Sequence, residues 1–211
     1  MSWGLSIVIL LGGFITARKI LVILDKEFAL SIRKQPMALW IVLFYLFVES
    51  FVLNSLWDSV FWITIALVAY NDYLTKEIYD VVYVPAIIIC IVQLALASCT
   101  QEVGIERLIE LIVFCGIQFI VFRMFYGLSD CIAFCVCAMY LTVHGGDIMD
   151  SVILMIITIL LLGVVQACKK NINRKGNLKE TVALIPYMAV GMMLVSGFTD
   201  LKILFLYNFW V

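Results

Sequence analysis

Long apolar runs constrain the fold of this 211-residue chain more than any other feature of its sequence. There are eight of them: Trp3–Ala17, Met37–Leu56, Ser59–Tyr70, Val81–Cys99, Leu108–Met124, Cys131–Val143, Val152–Cys168 and Thr181–Gly197. A helix needs about 20 residues to cross the hydrocarbon core of a membrane. Only 14% of the residues are charged and 65% are apolar, whereas soluble domains carry about 25% charged residues. The sequence therefore predicts an all-α fold, a polytopic integral membrane helix bundle of about eight transmembrane helices that forms one domain over residues 1–211. A last apolar piece, Ile203–Val211, is too short to cross and is expected to lie at the membrane interface.

The basic residues predict the orientation of this bundle. Ten of the 14 Lys and Arg residues lie in two connecting segments: Arg18, Lys19, Lys26, Arg33 and Lys34, then Lys169, Lys170, Arg174, Lys175 and Lys179. Loops rich in Lys and Arg remain in the cytosol, so we expect a multi-pass membrane protein with its N-terminus outside. The loops that carry Asp72 and Asp130 then both face the cytosol. The formal net charge of -1 gives no reason to expect a nucleic-acid partner, and the lipid bilayer is the first predicted partner.

Two of the runs are too short to cross a membrane as they stand. Ser59–Tyr70 would extend about 18 Å as a helix, against a hydrocarbon core of about 30 Å. An extension to Ile78 places Asp72 about 9 Å inside the cytosolic boundary. Cys131–Val143 requires an extension backwards through Asp130 and Gly127. Helix length alone thus predicts that both acids lie at the inner edge of the membrane.

Asp72 and Asp130 are the candidate catalytic residues. An acidic side chain near the centre of a transmembrane helix costs at least about 2.5 kcal/mol, so acids at membrane depth are usually functional or paired. Two neighbouring carboxyl groups cannot easily ionise together, and one of them remains protonated. The ionised group can take a proton from a water that attacks a peptide carbonyl, while the neutral group donates a proton to the carbonyl oxygen. This chemistry predicts an aspartic endopeptidase that requires no metal and no cofactor.

Three short motifs accompany these acids: Asp72 with Ile78 and Asp80, Gly127-Leu128-Ser129-Asp130, and Ile185-Pro186-Tyr187. In this order they resemble the first aspartate motif, the Gly-x-Gly-Asp motif and the C-terminal Ile-Pro-Phe/Tyr segment of the type IV prepilin peptidases. The resemblance covers roughly Ser59 to Gly197. Tyr79 and Ser129 stand where that family usually has Pro and Gly.

The resemblance implies an endopeptidase embedded in a bacterial plasma membrane, with Asp72 and Asp130 as a catalytic dyad. Such an enzyme removes the short leader of prepilin or pseudopilin-like precursors at the cytosolic face. It implies the cleavage-only form, because the segment between the first two runs contains no cysteine motif of the kind that accompanies N-methylation. The pilin-like precursor is then the protein partner. The predicted substrate-binding residues are Glu77, Asp80, Gly127 and Pro186, of which the two acids suit a basic leader.

Two other functions fit parts of the sequence. An intramembrane protease similar to presenilin or signal peptide peptidase also uses two aspartates, but here Asn71 separates Tyr70 from Asp72 and no Pro-Ala-Leu segment occurs. A non-catalytic membrane protein or a small ion-coupled transporter would use the acids to carry protons or a cation. The chain lacks the internal repeat that is typical of such transporters.

The other polar and sulfur-containing residues favour structural roles. The segment from His144 to Asp150 is expected to form a solvated turn rather than a metal site. Glu49, inside the second run, is expected to pair with a polar neighbour in the bundle. The seven cysteines are expected to act as small buried hydrophobic residues.

Overall fold

The computed structural model describes residues 3–24, 35–51, 55–76, 78, 80–172 and 183–210, with the backbone alone at residues 24, 36, 169–172 and 200–210. Eight α-helices follow one another in this part of the chain: α1 (Trp3–Leu24), α2 (Pro36–Glu49), α3 (Leu56–Thr75), α4 (Val84–Cys99), α5 (Ile105–Ile120), α6 (Leu128–Val143), α7 (Ile148–Ile172) and α8 (Ile185–Trp210). Short 3-10 turns at Asp80–Tyr83 and Phe122–Met124 precede α4 and follow α5. The described residues contain no β-strand, which confirms the all-α prediction.

Several of these helices have the length and composition of membrane spans. Within the described ranges, three are long and apolar enough to cross a membrane: Trp3–Ile23, Asp80–Cys99 and Ile148–Cys168. Shorter apolar helices cover Met37–Glu49, Leu128–Val143 and Ile185–Thr199. Large apolar side chains such as Ile23, Met37 and Ile112 lie on the outside of the bundle, where they are 81%, 78% and 69% exposed. Apolar surface of this extent is unusual for a monomeric soluble protein.

The helix boundaries correct two of the sequence predictions. The run Met37–Leu56 is not one helix, because α2 ends at Glu49 and Leu56 is the first residue of α3. The piece Ile203–Val211 is not a separate interfacial segment as far as it is described, because α8 continues without a break to Trp210.

Helix α3 reaches the length of a membrane span through its N-terminus, not its C-terminus. The Ser55 hydroxyl accepts a hydrogen bond from the Asp58 N–H at 3.2 Å, and the Asp58 carboxylate accepts one from the Ser55 N–H at 3.0 Å. This capping box satisfies two backbone donors and begins the helix at Leu56. At the other end Lys76 adopts the left-handed conformation with φ 57°, which ends the helix after 20 residues. The predicted extension to Ile78 is therefore wrong.

Helices α3 and α6 form the centre of the described bundle. Fourteen of the 20 residues of α3 and ten of the 16 residues of α6 are buried. The two helices run antiparallel, and at one end the Phe61 ring stacks on the Tyr140 ring with centroids 3.8 Å apart. Asp72 and Asp130 lie at the opposite end. The predicted backward extension of the sixth run is confirmed as far as Leu128, where α6 begins, and Gly127 is the N-cap.

Glycines allow the outer helices to pack closely on this centre. A Cβ added at Gly191 of α8 would lie 3.2 Å from both Leu154 and Thr158 of α7, and one added at Gly13 of α1 would lie 2.5 Å from Ile63 of α3. Small residues at such contacts are typical of helix pairs in membranes. Helix α8 also packs against α3, and this packing brings the first turn of α8 to the last turn of α3.

Candidate functional site

Asp72 lies in the last turn of α3 and is 5% exposed. One of its carboxylate oxygens accepts a hydrogen bond from the Ile185 N–H at 2.9 Å, and the Leu184 N–H is also directed at this carboxyl group. The first N–H groups of a helix have no partner within that helix. Asp72 therefore caps α8 from a position 113 residues earlier in the chain.

Asp130 lies in the first turn of α6, at the same end of the bundle. Its carboxylate accepts a hydrogen bond from the Gly127 N–H at 3.2 Å, so that Gly127 acts as the N-cap of α6. The structure thus places the two predicted dyad residues on separate helices at the same end of the bundle.

Asp80 and Ser129 form a second link between the first two motifs. The Ser129 hydroxyl donates a hydrogen bond to the Asp80 carboxylate at 2.5 Å. Asp80 begins the 3-10 turn Asp80–Tyr83 and is exposed, while Ser129 precedes Asp130 in the first turn of α6. This bond holds the turn that follows α3 against the N-terminus of α6.

Tyr83 ends that 3-10 turn and is fully buried. The turn packs against α3, α4 and α6. No described residue shares a hydrogen bond with the Tyr83 hydroxyl. Buried polar groups in native proteins rarely lack a partner.

An apolar groove of about 230 Å³ lies between α2, α3 and α8. Its wall includes Tyr73 and Pro186, which are the sequence neighbours of Asp72 and Ile185. Ile41 of α2 and Val190 of α8 also line it, and both are partly open to the surroundings. The groove is large enough to hold apolar side chains.

The predicted substrate-binding residues take different positions. Asp80 is on the rim of the site, Gly127 caps α6, and Pro186 contributes to the groove. Glu77 and Tyr79 lie outside the described residues.

Sequence reasoning missed Tyr83 and the N–H groups of Leu184 and Ile185. Tyr83 falls within the run Val81–Cys99, where a tyrosine counts as an apolar residue, and its one signal is its place three residues after Asp80. Backbone N–H groups carry no side-chain signature at all.

A second polar cluster lies at the opposite end of α3 and corrects the prediction for the His144–Asp150 segment. His144 contacts the buried Asp58 carboxylate at 3.1 Å and the Tyr140 carbonyl oxygen at 2.9 Å. Gln93 donates to the same carboxylate at 3.4 Å. Asp150 is buried, and it exchanges hydrogen bonds with Asp147 at 3.0 and 3.1 Å. The segment does form a turn, and Gly145 is exposed, but the side chains of His144 and Asp150 make polar contacts within the protein.

The remaining candidate residues are distributed through the bundle. Cys90, Cys131, Cys135 and Cys137 are buried, as expected, whereas Cys99 and Cys168 are exposed. Glu49 is buried at the end of α2. In the ranges that the structure describes, no three His, Cys, Asp or Glu side chains form a group that could hold a metal ion.

Comparison of the chain with known protein families, with curated proteins and with solved structures finds no match.

Proposed function

We propose that this chain is a multi-pass membrane aspartic endopeptidase of the type IV prepilin peptidase kind, in which Asp72 and Asp130 activate a water molecule. The observation that carries the proposal is the meeting of all three motif segments at one end of α3 and α6. Asp72 bonds to Ile185 at 2.9 Å and Ser129 bonds to Asp80 at 2.5 Å, across 113 and 49 residues of chain. Interactions between neighbouring residues do not bring such distant segments together, whereas a shared functional site requires them to be close.

The membrane setting is supported by the apolar character of the helices. Three of them have the length of a span within the described residues, and apolar side chains cover the outside of the bundle. Several shorter apolar helices would complete a multi-pass bundle. In this topology the basic segments, which lie mostly outside the described residues, would face the cytosol, as would Asp72 and Asp130.

The proposed reaction needs only the two carboxyl groups and water. The ionised carboxylate takes a proton from water as the water oxygen attacks the peptide carbonyl carbon, and the neutral carboxyl gives its proton to the carbonyl oxygen. The tetrahedral intermediate then loses its C–N bond. The leaving nitrogen takes the proton that came from the water, and the second carboxylate recovers its own proton from the intermediate. Both groups return to their starting states.

The surroundings of the dyad fit a precursor with a basic leader followed by an apolar helix. Asp80 is exposed beside the dyad and offers a negative charge to a Lys or Arg of the leader. The apolar groove includes Tyr73, the neighbour of Asp72 in the chain, and we assign the groove to side chains of the precursor's apolar helix. Leader and helix would then lie on opposite sides of the bond to be cut.

The test uses the purified full chain in liposomes with a model precursor, made of a Lys-rich leader that ends in Gly and an apolar helix. Asp72→Asn and Asp130→Asn should each lower the cleavage rate by at least about a hundredfold, because either change removes an acid–base group. Asparagine keeps an oxygen that accepts the Ile185 or Gly127 N–H, so both variants should remain folded. Glu106→Gln, which neutralises an exposed acid in the first turn of α5, is the matched control.

The products decide between the proposal and its alternatives. Mass spectrometry should find one cut at the boundary between leader and helix. Cuts within the apolar helix would instead support an intramembrane protease similar to presenilin. Full activity in either asparagine variant would overturn the dyad.

A non-catalytic role is the second candidate, and one observation favours it. Asp72 and Asp130 both accept hydrogen bonds at helix N-termini, which is a sufficient structural reason for an acid at each position. If this were their whole role, the wild-type protein would cleave no precursor, and Asp72→Ala would unfold more readily while Asp72→Asn would not.

A further inference from the structure

His144 connects the turn after α6 to the first turn of α3. Its Nε2 atom lies 3.1 Å from Oδ1 of Asp58, and its Nδ1 atom lies 2.9 Å from the Tyr140 carbonyl oxygen. Asp58 is 2% exposed, whereas the side chain of His144 is 25% exposed. The pair thus combines a carboxyl group that is buried in the bundle with an imidazole ring that can exchange a proton with the surroundings.

The two ring nitrogens of His144 both face oxygen atoms. A neutral imidazole carries one N–H group and one lone pair, whereas an imidazolium carries two N–H groups. The Tyr140 carbonyl oxygen can only accept a hydrogen bond, so a neutral ring that donates to it turns its lone pair toward Asp58. Both contacts are therefore hydrogen bonds when a proton lies between Nε2 and the carboxyl group of Asp58.

The other contacts of the pair favour the proton on the ring. The Asp58 carboxyl group accepts the Ser55 N–H at 3.0 Å and the side-chain amide of Gln93 at 3.4 Å. Hydrogen bonds donated to a carboxylate stabilise its ionised form. The Tyr140 ring stacks on the His144 ring with centroids 4.1 Å apart, and the face of an aromatic ring attracts a cation.

Titratable groups of the neighbouring elements surround the pair. Arg107 of α5 donates to the carbonyl oxygen of the residue that follows the histidine, at 3.4 Å. Asp147 and Asp150, before and in the first turn of α7, exchange hydrogen bonds with each other at 3.0 and 3.1 Å. Cys90 of α4 is a buried free thiol. The cation opposes a proton on the ring and the two acids favour one, while the carboxyl group of Asp58 contacts the ring directly.

We infer that His144 and Asp58 form a proton-binding site, which fastens the turn between α6 and α7 to the start of α3 while the ring is protonated. The turn is tightly built, because Gly145 has φ 82° and a Cβ added at Gly146 would lie 2.9 Å from the Leu141 carbonyl oxygen. The site lies at the opposite end of α3 from the proposed dyad, so the inference does not rest on the proposed function. In the proposed topology this end faces away from the cytosol, where the external pH would act on it.

Proton binding by the folded pair makes stability depend on pH. In an unfolded chain a histidine loses its proton near about pH 6.5, whereas the folded pair keeps its proton to a higher pH. Above that value the folded state binds more protons than the unfolded state. The free energy of unfolding that the pair contributes is therefore complete at lower pH and decreases as the pH rises.

The experiment uses the fact that His144 is the single histidine of the sequence. Nitrogen NMR of the full chain in liposomes, with isotope-labelled histidine and no histidine tag, reports this ring alone. We expect both ring nitrogens to give the imidazolium signal at neutral pH. In Asp58→Asn the midpoint of the titration should fall by at least about one pH unit, and asparagine keeps an oxygen for the Ser55 N–H. Glu106→Gln, which neutralises an exposed acid in the first turn of α5, is the matched control and should shift the midpoint far less.

A second measurement requires no change at Asp58. Equilibrium unfolding in mixed detergent micelles compares wild type with His144→Gln at about pH 6 and about pH 8.5. The stability difference between the two chains should be larger at the lower pH. A wild-type ring that is neutral at neutral pH, an equal shift in Asp58→Asn and Glu106→Gln, or a stability difference that does not change with pH would each overturn the proton-binding site.

Discussion

The Ser129 hydroxyl donates a hydrogen bond to the Asp80 carboxylate at 2.5 Å, and it thereby joins the first acidic motif to the second. The prepilin peptidases that these motifs resemble usually have Gly at the position of Ser129. The structure requires no glycine there, because Ser129 lies in a regular first turn of α6. Within the described residues, the non-glycine residues with positive φ are Lys76 and Gln101. Serine thus adds a link without straining the backbone.

Loss of this link should loosen the end of the bundle that carries the dyad. Ser129→Ala removes one hydrogen bond to a carboxylate, and we expect the free energy of unfolding to fall by about 1 kcal/mol. Ser129→Gly should cost roughly 0.5–1 kcal/mol more, because glycine loses more backbone freedom on folding. Equilibrium unfolding in mixed detergent micelles measures both values.

Ser98→Ala provides the control for these two variants. The Ser98 hydroxyl donates to the Leu94 carbonyl within its own helix at 2.7 Å. This bond joins no separate segments, so its loss should change the free energy of unfolding little. An equal loss of stability in Ser98→Ala and Ser129→Ala would contradict a special role for the link.

The charge of Asp80 should contribute to leader recognition. Asp80→Asn keeps an oxygen for the Ser129 hydroxyl but removes the negative charge. An exposed ion pair contributes about 0.2–1 kcal/mol, so KM for a precursor with a Lys-rich leader should rise up to about fivefold while kcat is unchanged. A precursor whose leader lysines are replaced by glutamine should bind wild type and variant equally. A kcat change without a KM change would argue that Asp80 supports the dyad instead.

An obstructed groove should slow the cleavage of precursors with an apolar helix. Val190 of α8 is 42% exposed and lines the groove, so Val190→Trp fills space without disturbing a packed core. We expect kcat/KM to fall at least about tenfold, because an indole occupies the volume assigned to substrate side chains. Cleavage of a short leader peptide without the apolar helix should be unaffected.

Val92→Trp is the matched control for the groove. Val92 lies on α4 with 44% of its side chain exposed, and it does not line the groove. If both tryptophan variants slow cleavage equally, the effect comes from the bilayer or from folding, and the assignment of the groove is wrong.

The pair of His144 and Asp58 should stabilise the end of the bundle away from the dyad. The two ring nitrogens of His144 contact the Tyr140 carbonyl oxygen at 2.9 Å and the buried Asp58 carboxyl group at 3.1 Å. His144→Gln leaves the buried Asp58 with weaker partners and should lower the free energy of unfolding by about 2 kcal/mol. A double-mutant cycle with Asp58→Asn should give a coupling of roughly 1–2 kcal/mol.

Cleavage measurements separate this effect from the proposed chemistry. In His144→Gln, kcat per folded molecule should equal that of the wild type, because the pair lies at the opposite end of α3 from Asp72. A coupling near zero would show that the contact between His144 and Asp58 contributes nothing to stability.

Sequence patterns predicted the positions of the helices better than the residues at which the helices begin and end. The apolar runs identified where α1, α4, α6 and α7 lie, because hydropathy is a property of neighbouring residues. The start of α3 depended on hydrogen bonds between Ser55 and Asp58, and its end depended on the left-handed Lys76. Such caps depend on single residues, so the extent of an apolar run does not predict them.

The sequence by itself determined that the chain is helical and apolar, and that acidic residues lie near the ends of certain helices. The tertiary structure alone decided which of those acids meet. Asp72 contacts Ile185, Asp80 contacts Ser129, and Asp58 contacts His144 across 113, 49 and 86 residues. Hydropathy and capping signals act within a few residues, whereas the pairing of helix ends results from how every buried face packs against the others. Tyr83 shows the same division, since only packing turns an ordinary tyrosine of an apolar run into a fully buried residue.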